Sequence, residues 1–344
     1  MQSIDWKTVE RILIVKLRSI GDTVLSTPSL IALRRFVPNA QIDILLEDWV
    51  APLLDGFDAV DNVIPVEPGV AARLTTAWKL RRQNYDVAFN LHGGTTATFF
   101  TAASNAKHRV GAANYQYSFL YDHLLSSASD FWQAEFTHSA EQQLALLGFV
   151  GVPVDDRPMS RLVATETGRT ARVREWHKRG NYALLHPGTA FFTKQWPVGN
   201  FARTAEFLAE KGFQTVAISS KKEAEVLQKL KAAANVPIAT FDDLTLPEIT
   251  ALASNAKLFV GNDSGMAHIA AAVNTPSVVV FGSSNRNHWR PWTDAPNEIV
   301  YEEFACQPCP GYECKQFGDP KCILSVKPES VLSAINRVLS NPLA

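Results

Sequence analysis

Two hydrophobic patterns alternate along the chain. RILIVKL (11–17), IDILLE (42–47), NVIPV (62–66), DVAFNL (86–91) and HRVGA (108–112) are short, mostly apolar runs. Runs of that length predict strands, and the first is continuous enough to be covered on both faces. Between them TVLSTPSLIALRRF (23–36), AARLTTAWKLRRQ (71–83) and TTATFFTAASN (95–105) have helical length and spacing, the first with a proline in its opening turns. Repeated strand–helix units of this size imply a parallel sheet with helices on both faces.

The rhythm stops at GVPVDDRP (151–158), whose Pro, Gly and Asp read as a linker. It then restarts with strands expected at 182–188, 213–219, 237–241, 257–263 and 277–282, and helices near 199–211, 222–234, 247–254 and 264–273. A last helix opens on Pro328. The expectation is an α/β chain of two doubly wound halves, 1–160 and 161–327, with a terminal helix at 328–344 packing back on the first half. Such folds bind ligands at the carboxyl ends of their strands, here in a cleft between the halves.

Composition narrows the function. At 344 residues the length itself suggests two domains, and 46 % hydrophobic with 19 % charged residues is ordinary for a globular enzyme. Thirty-three basic against thirty-four acidic residues exclude a global nucleic-acid footprint. No apolar run approaches the roughly 18 residues of a membrane span, and the acidic start is not a secretory signal, so a cytoplasmic location is expected. All four cysteines, Cys306, Cys309, Cys314 and Cys322, fall in one C-x2-C-x4-C-x7-C stretch. That spacing suits a structural zinc, free thiols or disulfides, and the sequence leaves the three open.

Candidate chemistry lies just after strands. Gly261-Asn262-Asp263-Ser264-Gly265 precedes a small-residue helix, whose N-terminal N–H groups and dipole favour an anion. The alternative is that Asp263 or Ser264 merely caps that helix. His268 lies one turn on. In LLHPGTAFFTKQWP (184–197), Thr189 can bond a phosphate oxygen and Lys194 can supply compensating charge, so the two loops outline a diphosphate pocket. Neither GxxxxGK[ST] nor a post-strand GxGxxG occurs, against a P-loop NTPase or an ordinary dinucleotide enzyme. In the first half, Asp22 in LRSIGD (17–22) is either a general base at the top of the sheet or the N-cap of a helix starting at Thr23. His92, Gly93 and Gly94 end another strand. Basic residues in WKLRRQ (78–83), with Arg34, Arg35, Lys107 and Arg109, can form patches for an anionic glycolipid or a solvated helix face.

VKLRSIGDTVLSTPSLIALRRFVPNAQIDILL, HPGTAFFTKQWP and GNDSGMAHIAAAVNTPSVVVFGSSNRNHWRPW, in this order and spacing, strongly resemble family 9 glycosyltransferases, the lipopolysaccharide heptosyltransferases, and within them the heptosyltransferase III-like branch. The resemblance covers most of the chain. It implies a GT-B fold, with the acceptor bound by the first Rossmann-like half and the nucleotide sugar by the second. It also implies inverting transfer from ADP-heptose to a lipopolysaccharide core glycolipid, no cofactor or metal required for catalysis, and peripheral contact with the inner membrane. Carried over, Asp22 is the base. Thr189, Lys194, Asp263, Ser264, Gly265 and His268 hold the donor, and Glu223 binds its ribose, although Ser219-Ser220 stand where the family has a glycine pair. Two other classes are an epimerase, which should carry GxGxxG and YxxxK, and a binding protein, which has no use for the base. The first half has neither epimerase motif.

Overall fold

The computed structural model describes residues 3–309 and 312–341. The chain divides into two compact units, residues 1–161 and 162–344.

In the first unit the strands are β1 (Arg11–Leu17), β2 (Gln41–Glu47), β3 (Asn62–Val66), β4 (Val87–Asn90), β5 (His108–Ala112) and β6 (His123–Leu125). They form one parallel sheet in the order β3-β2-β1-β4-β5-β6. The helices are α1 (Ile20–Val24), α2 (Thr27–Phe36), α3 (Val70–Arg81), α4 (Gly94–Ala103), α5 (Ala128–Trp132) and α6 (Ser139–Gly148). The single helix expected over 23–36 is two. Pro28, with no N–H to donate, sits in the first turn of α2. The Ser26 and Thr27 hydroxyls turn back onto the Thr23 and Val24 carbonyls at 2.7 Å, which ends α1. The edge strand β6 is only three residues long, too short for an apolar period to announce it.

The second unit repeats the plan with β7 (Tyr182–His186), β8 (Gln214–Ile218), β9 (Ile238–Phe241), β10 (Leu258–Asn262), β11 (Ser277–Val280) and β12 (Asn297–Val300), ordered β12-β11-β10-β7-β8-β9, all parallel. Its helices are α7 (Ala171–Arg179), α8 (Val198–Glu210), α9 (Ala224–Ala233), α10 (Leu246–Asn255), α11 (Gly265–Ala272), α12 (Arg286–Trp289), α13 (Lys321–Leu324) and α14 (Pro328–Ser340). The sequence reading missed the half-buried edge strand β12, NEIV, whose polar start hides its pattern.

The terminal helix packs on α8, β11 and β12 of its own unit. Val331, Ala334, Ile335 and Val338 share one helical face and join the core around Trp196, Phe201, Val278 and Val280. Arg337 clamps the helix to Glu298 of β12 at 2.6 Å. Among the described residues no helix is long and apolar enough to cross a membrane.

Candidate functional site

In both units the central strands are apolar along most of their length and carry polar side chains where they end. In the first unit the exit of β1 holds Asp22. The ladder slips between Val15 and Leu17, and Leu17 takes a positive φ of 59°. Lys16, beside the slip, is buried, and its ammonium donates to the Leu91 carbonyl at 2.9 Å. That ammonium also lies 3.5 Å from Asp22 Oδ1, and the Ser19 hydroxyl donates to Oδ2 at 2.9 Å. Burial on its own would raise the Asp22 carboxyl. Lys16 and the Ser19 hydroxyl and backbone N–H outweigh it and hold the carboxyl below its ordinary range. Lys16 is itself pushed down by burial, with Asp22 resisting.

The capping alternative for Asp22 does not hold. The helix starts at Ile20 with Ser19 as N-cap, so Asp22 sits inside the first turn. His92 stands next to this pair: burial, then the charge of Lys16, lowers its pKa, so it is neutral at physiological pH. Gly93 and Gly94 both have φ above +70°, which lets the chain leave β4 in a left-handed turn and start α4 at once.

In the second unit the exits of β7, β8, β10 and β11 converge. Asn262, at the end of β10, ties the neighbouring loop down, donating to the Pro187 carbonyl at 2.8 Å and accepting from the Trp196 N–H at 3.1 Å. That fixes the loop carrying Lys194, whose ammonium donates to Asp263 Oδ2 at 2.8 Å. The same oxygen accepts from the Ser284 hydroxyl. Asp263 is buried, so the lysine is its counter-charge and is held in one place.

Ser264 occupies the N-cap of α11 but makes no capping bond; its hydroxyl lies 3.1 Å from His186 Nδ1 instead. Capping alone therefore does not account for this turn. Gly265 begins α11, and His268, one turn on, is buried. Burial pushes His186 down to about 4 against the opposing charge of Glu223, so the ring is neutral. Glu223 reaches this far because Gly188 has no side chain: a Cβ there would meet Glu223 Oε1 at 2.7 Å. The Ser220 hydroxyl donates to Glu223 Oε2 at 2.7 Å.

Lys194 with Asp263, and Ser264 and Glu223 around His186, thus form two neighbouring clusters. Thr189 is half-buried in the same loop as Lys194, and no contact draws it into either cluster. Asp22 belongs to the other unit. The sequence reading missed Lys16, His186 and Ser284. A lone lysine inside RILIVKL was a signal for the first; a serine in a Gly-Ser-Ser turn gave none for the last. All four cysteines are free thiols, with Cys322 buried. Among the described residues no three side chains are grouped to hold a metal.

The sequence profile of glycosyltransferase family 9 (heptosyltransferase) matches residues 73–318. Lipopolysaccharide heptosyltransferase 3 of Escherichia coli K12 is 28 % identical over 300 residues, covering 81 % of this chain and 84 % of the relative. Lipooligosaccharide heptosyltransferase 2 of Haemophilus influenzae is 26 % identical over 347 residues, covering 96 % and 99 %. Among solved structures, E. coli ADP-heptose lps heptosyltransferase II superposes with a TM-score of 0.81 at 21 % identity, covering 97 % of this chain and all of that one. The fold is GT-B, with two Rossmann-like domains.

Proposed function

The chain belongs to glycosyltransferase family 9, and on that premise we propose that it moves heptose from ADP-heptose to an inner-core lipopolysaccharide acceptor, at the cytoplasmic face of the inner membrane. The observation that carries the donor half is Lys194, oriented by the buried Asp263 at the mouth of α11. An ammonium and a helix N-terminus together favour a diphosphate. Lys194, the Gly265 end of α11 and the Thr189 hydroxyl take the charge that grows on the departing diphosphate. In this reading they do so with no metal required. Glu223 accepts from the donor ribose, with Ser220 holding one of its oxygens in place, and Ser264 and His268 complete the donor loop. Asp22 accepts the proton of the attacking acceptor hydroxyl. Inversion follows from a single displacement at the anomeric carbon.

The test is to incubate the purified protein with a panel of nucleotide sugars and heptose-deficient core glycolipid, then weigh the product. A mass gain of one heptose, from ADP-heptose alone, is expected. Transfer from a different nucleotide sugar, or binding with no transfer, would replace this reading.

The acid limb of the rate profile follows from Lys16. Because Lys16 helps to hold the Asp22 carboxyl below its ordinary range, the base stays ionised to acid pH and transfer should fall only there. In Lys16→Met the burial that raises the carboxyl loses its main opponent. The limb should then move to higher pH, through and beyond the ordinary carboxylate range. An unmoved limb would mean that Asp22 is not the group titrating.

A further inference from the structure

We propose that the outer face of α3 docks the first unit on an anionic lipid surface. Val70, Leu74 and Trp78 recur every fourth residue and therefore share one helical face. They are 74 %, 57 % and 57 % exposed, while Thr76, Ala77 and Leu80 fill the buried side. Three large apolar side chains turned to water along one short helix is an arrangement that a lone globular unit has no use for.

The charges beside them say what covers this face. Arg73, Lys79, Arg81 and Arg82 all lie on α3 or at its C-cap and are exposed. No acidic residue occurs from Pro68 to Tyr85. Among the described residues none of the four is in an ion pair, and Arg82 instead lies over the Trp78 ring, 4.2 Å from its centroid. The other basic residues of this unit that the sequence marked out are spoken for. Arg34 pairs with Asp61, Arg35 with Asp156, Lys107 with Asp86 and Arg109 with Asp122. The free positive charge among these candidates is thus concentrated on α3, around an apolar centre with a tryptophan. That is the composition of a helix lying in a membrane interface.

A second copy of the chain is a poorer occupant. A two-fold contact through this face would set the same four cations against each other. A purely polyanionic partner leaves Val70 and Leu74 unused. The inference deepens the proposed function, since an enzyme whose acceptor is a glycolipid has to work at a lipid surface, and it rests on that reading only for its purpose.

The experiment is flotation of the full-length protein with vesicles of phosphatidylglycerol and phosphatidylethanolamine, and with vesicles of phosphatidylcholine alone. Binding is expected to the first set, weakened by salt, with little to the second. Each basic residue at an anionic surface is worth about five-fold in binding, so Arg81→Gln/Arg82→Gln should lose about 25-fold. Leu74→Ser/Trp78→Ser removes two interfacial side chains and should lose about ten-fold or more while the melting temperature holds. That apolar variant should transfer normally to a soluble, delipidated acceptor and poorly to acceptor in vesicles. Equal binding to both vesicle types, or undiminished binding by the apolar variant, overturns the proposal. So does self-association that this variant abolishes in the absence of vesicle binding. If the wild type binds anionic vesicles yet transfers nothing to soluble acceptor, the docking surface stands and the function reading falls.

Discussion

Asp22→Asn should abolish transfer at almost unchanged donor affinity. General-base catalysis typically contributes about 10²–10⁴-fold, and the rate should fall by that much. The residues proposed to hold the donor all belong to the second unit, so the affinity for ADP measured by calorimetry should hold. The substitution keeps shape and one acceptor oxygen for Ser19, whose hydroxyl now bonds the carboxylate at 2.9 Å. It also leaves Lys16 buried opposite a neutral group, with the Leu91 carbonyl accepting a hydrogen bond from its ammonium. Some stability should be lost for that reason, since removing one partner exposes the desolvation cost of the other. A second variant separates the two effects. Lys16→Met/Asp22→Asn takes out both charges, so the melting temperature should recover while transfer stays lost. Recovery of transfer along with stability would show that Asp22 serves the fold and that the base lies elsewhere.

The strand ends were legible because the physics there is local. A run such as SVVVFG has the length and β-branched content of a covered strand, and the polar residues that follow mark where the chain leaves the sheet. NVIPV and HRVGA are strands at the expected residues, 62–66 and 108–112. What sequence could not show depends on partners far along the chain. Lys194 and Asp263 are 69 positions apart, and Lys16 meets the Leu91 carbonyl 75 positions away. The engagement of the Asp263 carboxylate by Lys194 and Ser284 therefore could not be read from its own loop. The terminal helix shows the same limit. Its apolar face is plain in Val331, Ala334, Ile335 and Val338, but an apolar stripe does not name the surface it covers. The core around Trp196 supplied that surface. Likewise Arg34, Arg35, Lys107 and Arg109 looked like free cations until their carboxylates came into view.

Lys194→Ala should weaken ADP binding by about ten- to a hundred-fold, since a charge-assisted hydrogen bond is worth about 1.5–3 kcal/mol. The pairing with Asp263 adds a second consequence. That carboxylate is 5 % exposed and would be left with only the Ser284 hydroxyl, so the site would present an uncompensated negative charge to a diphosphate. Part of the lost affinity is then repulsion rather than a missing bond. Asp263→Asn in the Lys194→Ala background should remove that repulsion and restore some of the affinity and the melting temperature. Asp263→Asn alone should act the other way, freeing the lysine to wander and weakening ADP modestly. The two changes made together would thus cost less than the sum of each made alone, the signature of residues that act as one unit. Simple additivity would mean that Asp263 touches the ligand independently of the lysine. An unchanged affinity in Lys194→Ala would take the whole pair out of the donor site, and the anion would have to be held by the start of α11 without a cation beside it.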